Sequence, residues 1–230
     1  MNLEIKLGIK RLVDVALAVF GLLLCFPLFL LTALLVWLES PGPVIFRQAR
    51  SGKDGVVFQM YKIRTMYDGV PHMRNPDGSA FIARNDERVT RVGRWLREFS
   101  LDETPQLFNV LRGDMSIVGP RPEKPDYTAE LPAWALEKLR FKPGCLSLTL
   151  IHGRNELPWA ERNQLDIAYV RGFSLWLDAK VMVRGVWTMF VNRKGLYSPP
   201  KPLATVTLEP FEKLVDPIAH HQTASKERIP

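Results

Sequence analysis

Two adjacent carboxylates, Asp102 and Glu103, are the side chains of this sequence whose type and placement best suit catalysis. The residues that follow them predict a helix that begins at Pro105, with Thr104 as its N-cap, and that stops at Gly113. Free N–H groups and the helix dipole make such an N-terminus attractive to phosphate. A carboxylate beside bound phosphate can act as a nucleophile, and a second can hold a divalent cation that neutralises the phosphate oxygens.

The same two carboxylates also fit a purely structural role. Ser100 and Glu103 match a capping box, and acidic residues near a helix start interact favourably with the dipole. Arg121, between Pro120 and Pro122, offers a guanidinium fork on a stiff backbone that suits phosphate, although a surface ion pair would use the same side chain. From the residues alone, capping and catalysis both stay open.

The composition limits the class of protein. The chain has 230 residues, 47% of them hydrophobic, and a formal net charge of +7, which together predict a folded core and anionic partners. Such partners include nucleic acid, acidic lipid and phosphorylated substrates. The two cysteines, Cys25 and Cys145, lie far apart in the sequence and predict no disulfide framework. The four histidines show no metal-ligand spacing.

An apolar run without charged residues covers residues 15–38 and is long enough to reach across a bilayer. It is too long for a cleaved signal peptide, so a single spanning helix and a re-entrant hairpin are the two interpretations left. Pro27 interrupts the run and leaves limbs of roughly 18 Å, each too short to cross. Basic residues flank both ends, which places both ends on the cytoplasmic side. These features favour a hairpin that bends at Pro27, and a spanning helix stays open because such helices tolerate proline.

The remaining elements position the carboxylates. We expect strands at 44–48 and 56–63 joined by a loop at 51–55, and helices at 134–140, 159–171 and 175–191. Another helix carries the apolar stripe Val92, Trp95, Leu96 and Phe99, with arginines at 88, 91, 94 and 97 around its other side. This helix is either a core helix with a solvated basic face or an interfacial helix on anionic lipid.

The predicted fold is therefore α+β and mainly helical. Taken together with the family resemblance described next, the prediction is a re-entrant membrane hairpin at 1–40 followed by a cytoplasmic catalytic domain at 41–197, which combines amphipathic interfacial helices with a small β-hairpin. Residues 198–230, rich in proline at their start, are expected to form an extended C-terminal tail.

Several motifs in order resemble the bacterial sugar transferase family, the small monotopic polyprenyl-phosphate phosphoglycosyl transferases. They are Lys10-Arg11-Leu12-Val13-Asp14, the apolar run with Pro27, Tyr61-Lys62-Ile63-Arg64-Thr65-Met66, and the segment 86–122. The resemblance implies a hairpin inserted into the cytoplasmic leaflet of a bacterial inner membrane. It implies transfer of a sugar-1-phosphate from a UDP-sugar to polyprenyl (undecaprenyl) phosphate, the first membrane step of glycoconjugate and polysaccharide assembly.

The same resemblance assigns residues. Asp102 matches the nucleophile that forms a covalent phosphosugar intermediate and expels UMP, and Glu103 matches the partner associated with Mg²⁺. Further matches to positions that line the family's active site are Lys62, Arg121, Arg154 and Asp166.

Two departures from the family pattern are visible. Pro143-Gly144 and Gly153-Arg154 keep their spacing, but residues 145–152 differ from the usual stretch, which puts the choice of sugar in doubt more than the reaction. Phe26 stands where a serine often precedes the hairpin proline, and Pro27 itself is kept.

Other functions remain to be separated from this one. In a second mechanism Asp102 is a general base and the lipid phosphate attacks directly. A catalytically inactive membrane-bound scaffold of the same fold is an alternative function, disfavoured by the intact carboxylate pair and Arg121. A nucleic-acid binder is disfavoured because no recognised binding motif accompanies the basic charge. The sugar, the polyprenol length, the pathway and homo-oligomer formation stay open.

Overall fold

The computed structural model describes residues 2–71, 73, 85–153 and 157–190. It is mainly helical, as predicted, and its described residues contain two small sheets, of which only the β-hairpin was predicted. The helices are α1 Leu3–Glu39, α2 Arg91–Glu98, α3 Gln106–Arg112, α4 Pro125–Ala129, α5 Leu148–His152, α6 Trp159–Arg171 and α7 Leu175–Phe190; the strands are β1 Ile45–Ser51, β2 Val57–Ile63, β3 Ser116–Val118 and β4 Gly144–Leu146. Three 3₁₀ turns cover Lys53–Gly55, Leu101–Glu103 and Ala133–Arg140. The predicted tail at 198–230 lies outside the described residues.

α1 is one helix of 37 residues that continues through Pro27. Its length and apolar composition would allow it to cross a membrane. Much of its surface is exposed apolar side chain, with Leu12 and Leu23 both more than 70% exposed. The bent hairpin expected at Pro27 stays a prediction, because the helix shows no break there.

The first turns of α1 are bonded to the globular body through buried charges. Asp14 accepts hydrogen bonds from Ser116 Oγ (2.7 Å) and from the backbone N–H of Ile117 (3.0 Å). Lys10 Nζ donates to Asp178 Oδ2 at 2.6 Å, on α7. Buried charged groups are tolerated when they are paired and hydrogen-bonded, and these contacts satisfy that condition. They explain why a lysine and an aspartate lie at the start of an apolar helix.

Arg11 joins α1 to α3 by a different route. Its guanidinium donates to the backbone carbonyls of Val110 (2.5 Å) and Leu111 (2.8 Å). Carbonyls in the last turn of a helix lack intrahelical partners, so a cation placed there both satisfies them and interacts with the negative end of the dipole. α3, which follows the carboxylate pair, is thereby fixed to the apolar helix.

The last residue of α1 holds α2. Glu39 accepts hydrogen bonds from the backbone N–H groups of Arg91 (2.7 Å) and Val92 (2.9 Å) in the first turn of α2. Thr90 is the N-cap of that helix, and its hydroxyl accepts from Gly93 N–H at 2.9 Å. Both ends of α1 therefore rest on the same globular body.

The β-hairpin confirms the two predicted strands. β1 and β2 pair antiparallel, with Ile45 opposite Ile63 and Ser51 opposite Val57, so β1 runs three residues further than expected. Asn109 of α3 is fully buried and is bonded to β2, donating to Gln59 O at 2.7 Å and accepting from Tyr61 N–H at 3.0 Å. The hairpin and α3 are thus held in fixed register.

A second sheet, β3 paired in parallel with β4, lies at the core. Gly119 and Gly144 let the two chain segments approach so closely that a Cβ at Gly144 would collide with the backbone of Gly119. The core around this sheet draws on α3, α5, α6 and α7, and its fully buried side chains include Val110, Met115, Val118, Leu148, Tyr169 and Val181.

The other helices follow the sequence with two corrections. α6 has the predicted bounds, and α7 begins after Ser174, whose hydroxyl accepts Leu177 N–H at 3.0 Å. The helix expected at 134–140 is a 3₁₀ turn. In α2, Leu96 is buried as expected, but Trp95 is exposed and lies against Phe99, with ring centroids 5.3 Å apart.

Candidate active site

The carboxylate pair lies in the 3₁₀ turn between α2 and α3. Ser100, immediately before this turn, has a left-handed backbone with φ of 55° and makes no side-chain cap, so the predicted capping box is wrong. Thr104 is not the N-cap of α3 either. Its backbone is already helical and its hydroxyl donates back to Leu101 O at 2.8 Å, while Pro105 stands at the N-cap position. The capping role for Ser100 and Glu103 therefore has no geometric basis.

Lys62 from β2 reaches the carboxylate pair. Its Nζ lies 2.7 Å from Glu103 Oε1, and the two side chains are 22% and 35% exposed. Such a charge-assisted hydrogen bond, half shielded from solvent, orients the glutamate more firmly than a surface pair does. The structure therefore brings together three of the predicted site residues, Asp102, Glu103 and Lys62.

The electrostatics of Asp102 differ from those of an ordinary aspartate. Burial raises its pKa from 3.8 to about 6, the positive charge of Lys62 opposes that rise, and the negative charge of Glu103 adds to it. A carboxylate with a raised pKa is a stronger base and a better nucleophile, yet it is still mostly ionised at neutral pH.

The side chain of Asp166 is hydrogen-bonded to the backbone of Arg121. The N–H of Arg121 donates to Asp166 Oδ1 at 3.0 Å, in the turn that leads from β3 to α4. Asp166 is only 1% exposed and also accepts from Thr149 Oγ1 at 3.4 Å. Burial raises the pKa of Asp166 to about 6, and Lys138 opposes that rise. Asp166 lies behind the arginine-bearing turn and holds its shape, so it is placed to position Arg121 and not to contact a bound molecule.

Lys138 supports the same turn and was not predicted. It is 2% exposed, donates to Asn163 Oδ1 at 2.7 Å, and lies 3.5 Å from Asp166 Oδ2 and 3.6 Å from Glu123 Oε1. Asn163 and Asp166 are three residues apart on α6, on the same helix face. From this buried helix face, the side chains of Asn163 and Asp166 both face the ammonium group of Lys138.

A second arginine, Arg50 on β1, was also missed. Its Nη1 donates to Pro122 O at 3.1 Å and its Nη2 to Gln48 Oε1 at 2.6 Å. Among the described residues its buried Nε has no hydrogen-bond partner. Burial, followed by the like charge of Arg121, lowers the pKa of Arg50 to about 10. Arg50 thus adds a second positive charge beside the turn that carries Arg121.

The carboxylate pair fits a magnesium ion. Mg²⁺ is usually bound by one or two protein carboxylates and fills its shell with waters and substrate phosphates. Asp102 and Glu103 supply two such groups in a partly exposed turn. Within the described ranges there is no cluster of three or more acidic, histidine or cysteine side chains that would form a complete protein cage. The donor set is therefore of the kind that Mg²⁺ shares with a phosphorylated substrate.

Two predictions concern the segment that ends at Arg154. Arg154 itself lies outside the described residues. The segment 145–152, which departs from the family pattern, contributes the buried residues Leu148, Thr149 and Leu150 to the core. Burial also raises the pKa of the Cys145 thiol, which keeps that thiol protonated and unreactive. The segment that departs from the family pattern therefore packs in the core.

Comparison with known proteins identifies the family of this chain. The family model for bacterial sugar transferases matches residues 5–192. The UDP-glucose:undecaprenyl-phosphate glucose-1-phosphate transferase of Caulobacter vibrioides is 46% identical over 189 residues, which cover 77% of this chain and 68% of that protein. The uncharacterized sugar transferase EpsL of Bacillus subtilis is 38% identical over 187 residues, which cover 80% and 88%.

Other relatives are much longer than this chain. The Klebsiella pneumoniae protein with the same name as the Caulobacter one is 40% identical over 200 residues, which cover 83% of this chain and 42% of that protein. The chain thus spans less than half the length of that relative. Since the family model covers most of the sequence, the chain belongs to the bacterial sugar transferase family.

Proposed function

We propose that this protein transfers a sugar-1-phosphate from a UDP-sugar to undecaprenyl phosphate on the cytoplasmic face of a bacterial inner membrane. The observation that carries the proposal is the turn in which Asp102, with its raised pKa, lies beside Glu103 and its partner Lys62. The names of the Caulobacter and Klebsiella relatives specify this donor and this acceptor for those proteins.

The reaction proceeds in two displacements at one phosphorus atom. A carboxylate oxygen of Asp102 attacks the phosphorus bonded to the sugar, and the bond to UMP breaks, with UMP carrying away the electron pair. The product is an acyl phosphate in which the sugar-linked phosphorus is bonded to the carboxylate of Asp102. A phosphate oxygen of undecaprenyl phosphate then attacks the same phosphorus and releases the Asp102 carboxylate. The lipid leaves as undecaprenyl diphosphate sugar, and the enzyme returns to its starting state.

The neighbouring charges assist both displacements. Glu103 would hold Mg²⁺, which when bound neutralises negative charge on the phosphate oxygens. Lys62 orients Glu103 and lowers the pKa of Asp102, so that the nucleophile is ionised near neutral pH. Arg121, with Arg50 beside its turn, supplies positive charge that suits a diphosphate. Arg154 is expected to join them.

The contacts of α1 support a particular membrane arrangement. Lys10 and Asp14 near one end, and Glu39 at the other, are bonded to the same globular body. A straight helix that spans the bilayer would separate its ends by about 54 Å on the two sides of the membrane, and one set of contacts would have to break. We therefore propose that α1 enters and leaves on the cytoplasmic side, with Pro27 at the deepest point.

The experiment that tests the function uses purified full-length protein with Mg²⁺ and a panel of labelled UDP-sugars. With undecaprenyl phosphate withheld, one UDP-sugar should release UMP once and leave a labelled phosphosugar on the protein. Asp102→Asn should abolish both signals, and peptide mapping should locate the label at residue 102. Turnover without any protein-bound label would establish direct attack by the lipid phosphate instead. No turnover with any donor would indicate an inactive scaffold.

A further inference from the structure

An apolar groove of about 380 Å³ runs between α1, the β-hairpin and α3. Its walls are formed by Phe29, Ile45, Tyr61, Pro105, Phe108 and Leu111, with Arg112 at its rim. This volume is within the range of small-ligand pockets.

The groove lies between the segment that follows the turn of Asp102 and Glu103 and the apolar helix α1. Pro105 lines the groove and follows Glu103 by two residues in the chain. At the other side, Phe29 belongs to α1 and lies two residues after Pro27. A molecule in the groove would therefore extend from the segment that follows the carboxylates to the apolar helix.

The apolar side chains that line the groove favour a hydrocarbon ligand. Phe108 is 48% exposed, although a phenylalanine ring gains stability from being covered. The polar groups of the lining already have partners in the protein: Arg112 Nη1 donates to Tyr61 OH at 3.0 Å, and Arg112 Nε lies 3.4 Å from Asp114. A sugar or a nucleotide base would find few hydrogen-bond partners here, whereas a branched hydrocarbon needs none.

We infer that this groove binds the isoprene units of the acceptor nearest its phosphate, and so directs that phosphate to Asp102. The inference rests on the proposed function and adds a site for one of its substrates. The groove would be needed only for the second displacement, in which the acceptor takes part. Obstructing it should leave the first displacement, which needs only the donor, unaffected.

Two variants test the groove in detergent micelles and in phospholipid nanodiscs. Ile45→Trp fills it, and Phe108→Ser removes one wall at an exposed position where folding is not at risk. For both we expect the KM for undecaprenyl phosphate to rise by roughly ten-fold, the effect of losing about two buried methylene groups. The yield of phosphosugar on Asp102 with acceptor withheld should equal that of the unaltered protein.

Trp134→Ser is the matched control, because Trp134 is 45% exposed and does not line the groove. It should leave both measurements unchanged. An unchanged acceptor KM in Phe108→Ser, or a raised KM for the UDP-sugar, would overturn the inference, the latter in favour of a donor site. An effect confined to nanodiscs would assign the groove to a phospholipid chain and would also overturn it. Failure of adduct formation in the unaltered protein would contradict the proposed function instead.

Discussion

Lys62 Nζ lies 2.7 Å from Glu103 Oε1, and the same lysine is the main charge that lowers the pKa of the neighbouring Asp102. One cation on β2 therefore acts on both carboxylates, orienting the first and keeping the second ionised. Since β2 is held to α3 through Asn109, the hairpin and the reactive turn form one unit.

This relationship predicts the pH dependence of the first displacement. The nucleophile must be deprotonated, so UMP release in a single turnover should rise with pH through about 6. Lys62→Met removes a positive charge that lowers the pKa of Asp102, so the increase in the rate of UMP release should occur at higher pH. The maximum rate of UMP release should also be lower. Lys180→Met, at a surface lysine that lies 5.7 Å above the Trp176 ring, is the control and should keep the original profile. An unmoved profile in Lys62→Met would show that Asp102 does not limit the rate through its ionisation.

Arg50 should matter for donor use although no local sequence signal identified it. Arg50→Gln removes both a positive charge and the hydrogen bond to Pro122 O, and hydrogen bonds to charged groups contribute about 1.5–3 kcal/mol. We expect kcat/KM for the UDP-sugar to fall by roughly 10- to 100-fold. Arg50→Lys should recover part of the loss because the charge is kept. Arg47→Gln, on the exposed side of the same strand, should change little; equal losses in both variants would contradict a specific role.

Asp14 should be needed for stability and not for chemistry. Asp14→Ala leaves the Ser116 hydroxyl and the Ile117 N–H without their acceptor inside the protein. Each unsatisfied buried group costs about 1–3 kcal/mol, so the thermal unfolding midpoint in detergent should fall by several degrees. Glu4→Gln, at an exposed position near the start of the same helix, is the control. A normal midpoint in Asp14→Ala would mean that α1 is not anchored through this residue.

Asp166 should show a pH-dependent effect on stability. Its pKa of about 6 in the folded protein is above the ordinary 3.8, so the folded state binds the proton more tightly than the unfolded chain. The resulting stabilisation is complete below about pH 4 and is lost as the pH rises through about 6. Asp166→Asn cannot ionise, but its amide oxygen can still accept from Arg121 N–H. The variant should therefore lose this part of the pH dependence in unfolding measurements, whereas Asp166→Ala should be unstable at all pH values.

The topology of α1 can be tested by labelling single cysteines in a background in which Cys25 and Cys145 are both replaced by serine. Asn2→Cys and Pro43→Cys lie just outside the two ends of the helix. If both ends are cytoplasmic, an impermeant maleimide should label neither cysteine in intact spheroplasts and both after lysis. A helix that crosses the bilayer would leave one of the two cysteines labelled before lysis.

Local signals predicted the elements around the site well. Gly113, with φ of 91°, ends α3 as expected, and the loop at 51–55 joins the two strands of the hairpin. The start of α3 was wrong for a local reason. Ser100 takes a left-handed conformation and is followed by a 3₁₀ turn at Leu101–Glu103, so that Thr104 is the C-cap of this turn and Pro105 the N-cap of α3.

Local sequence patterns could not predict the long-range contacts that shape the site. Arg50 meets Pro122 across 72 positions in the sequence, and Asp14 meets Ser116 across 102. Periodicity and capping patterns describe neighbours within a few residues, so they cannot reveal which distant carbonyl a buried arginine will meet. The placement of Lys62 beside Glu103 was expected only because of the family resemblance.

The bond between Glu39 and the start of α2 has a practical consequence for handling this enzyme. The apolar segment is mounted on the catalytic body and is not a flexible tether, so the height of Asp102 above the lipid is fixed by the fold. Truncation at residue 40 would expose Ile63 and Leu96, which pack against Val36, and would remove the Glu39 acceptor from the first turn of α2. A water-soluble version will therefore require redesign of the outward surface of the anchor while its inward contacts are kept.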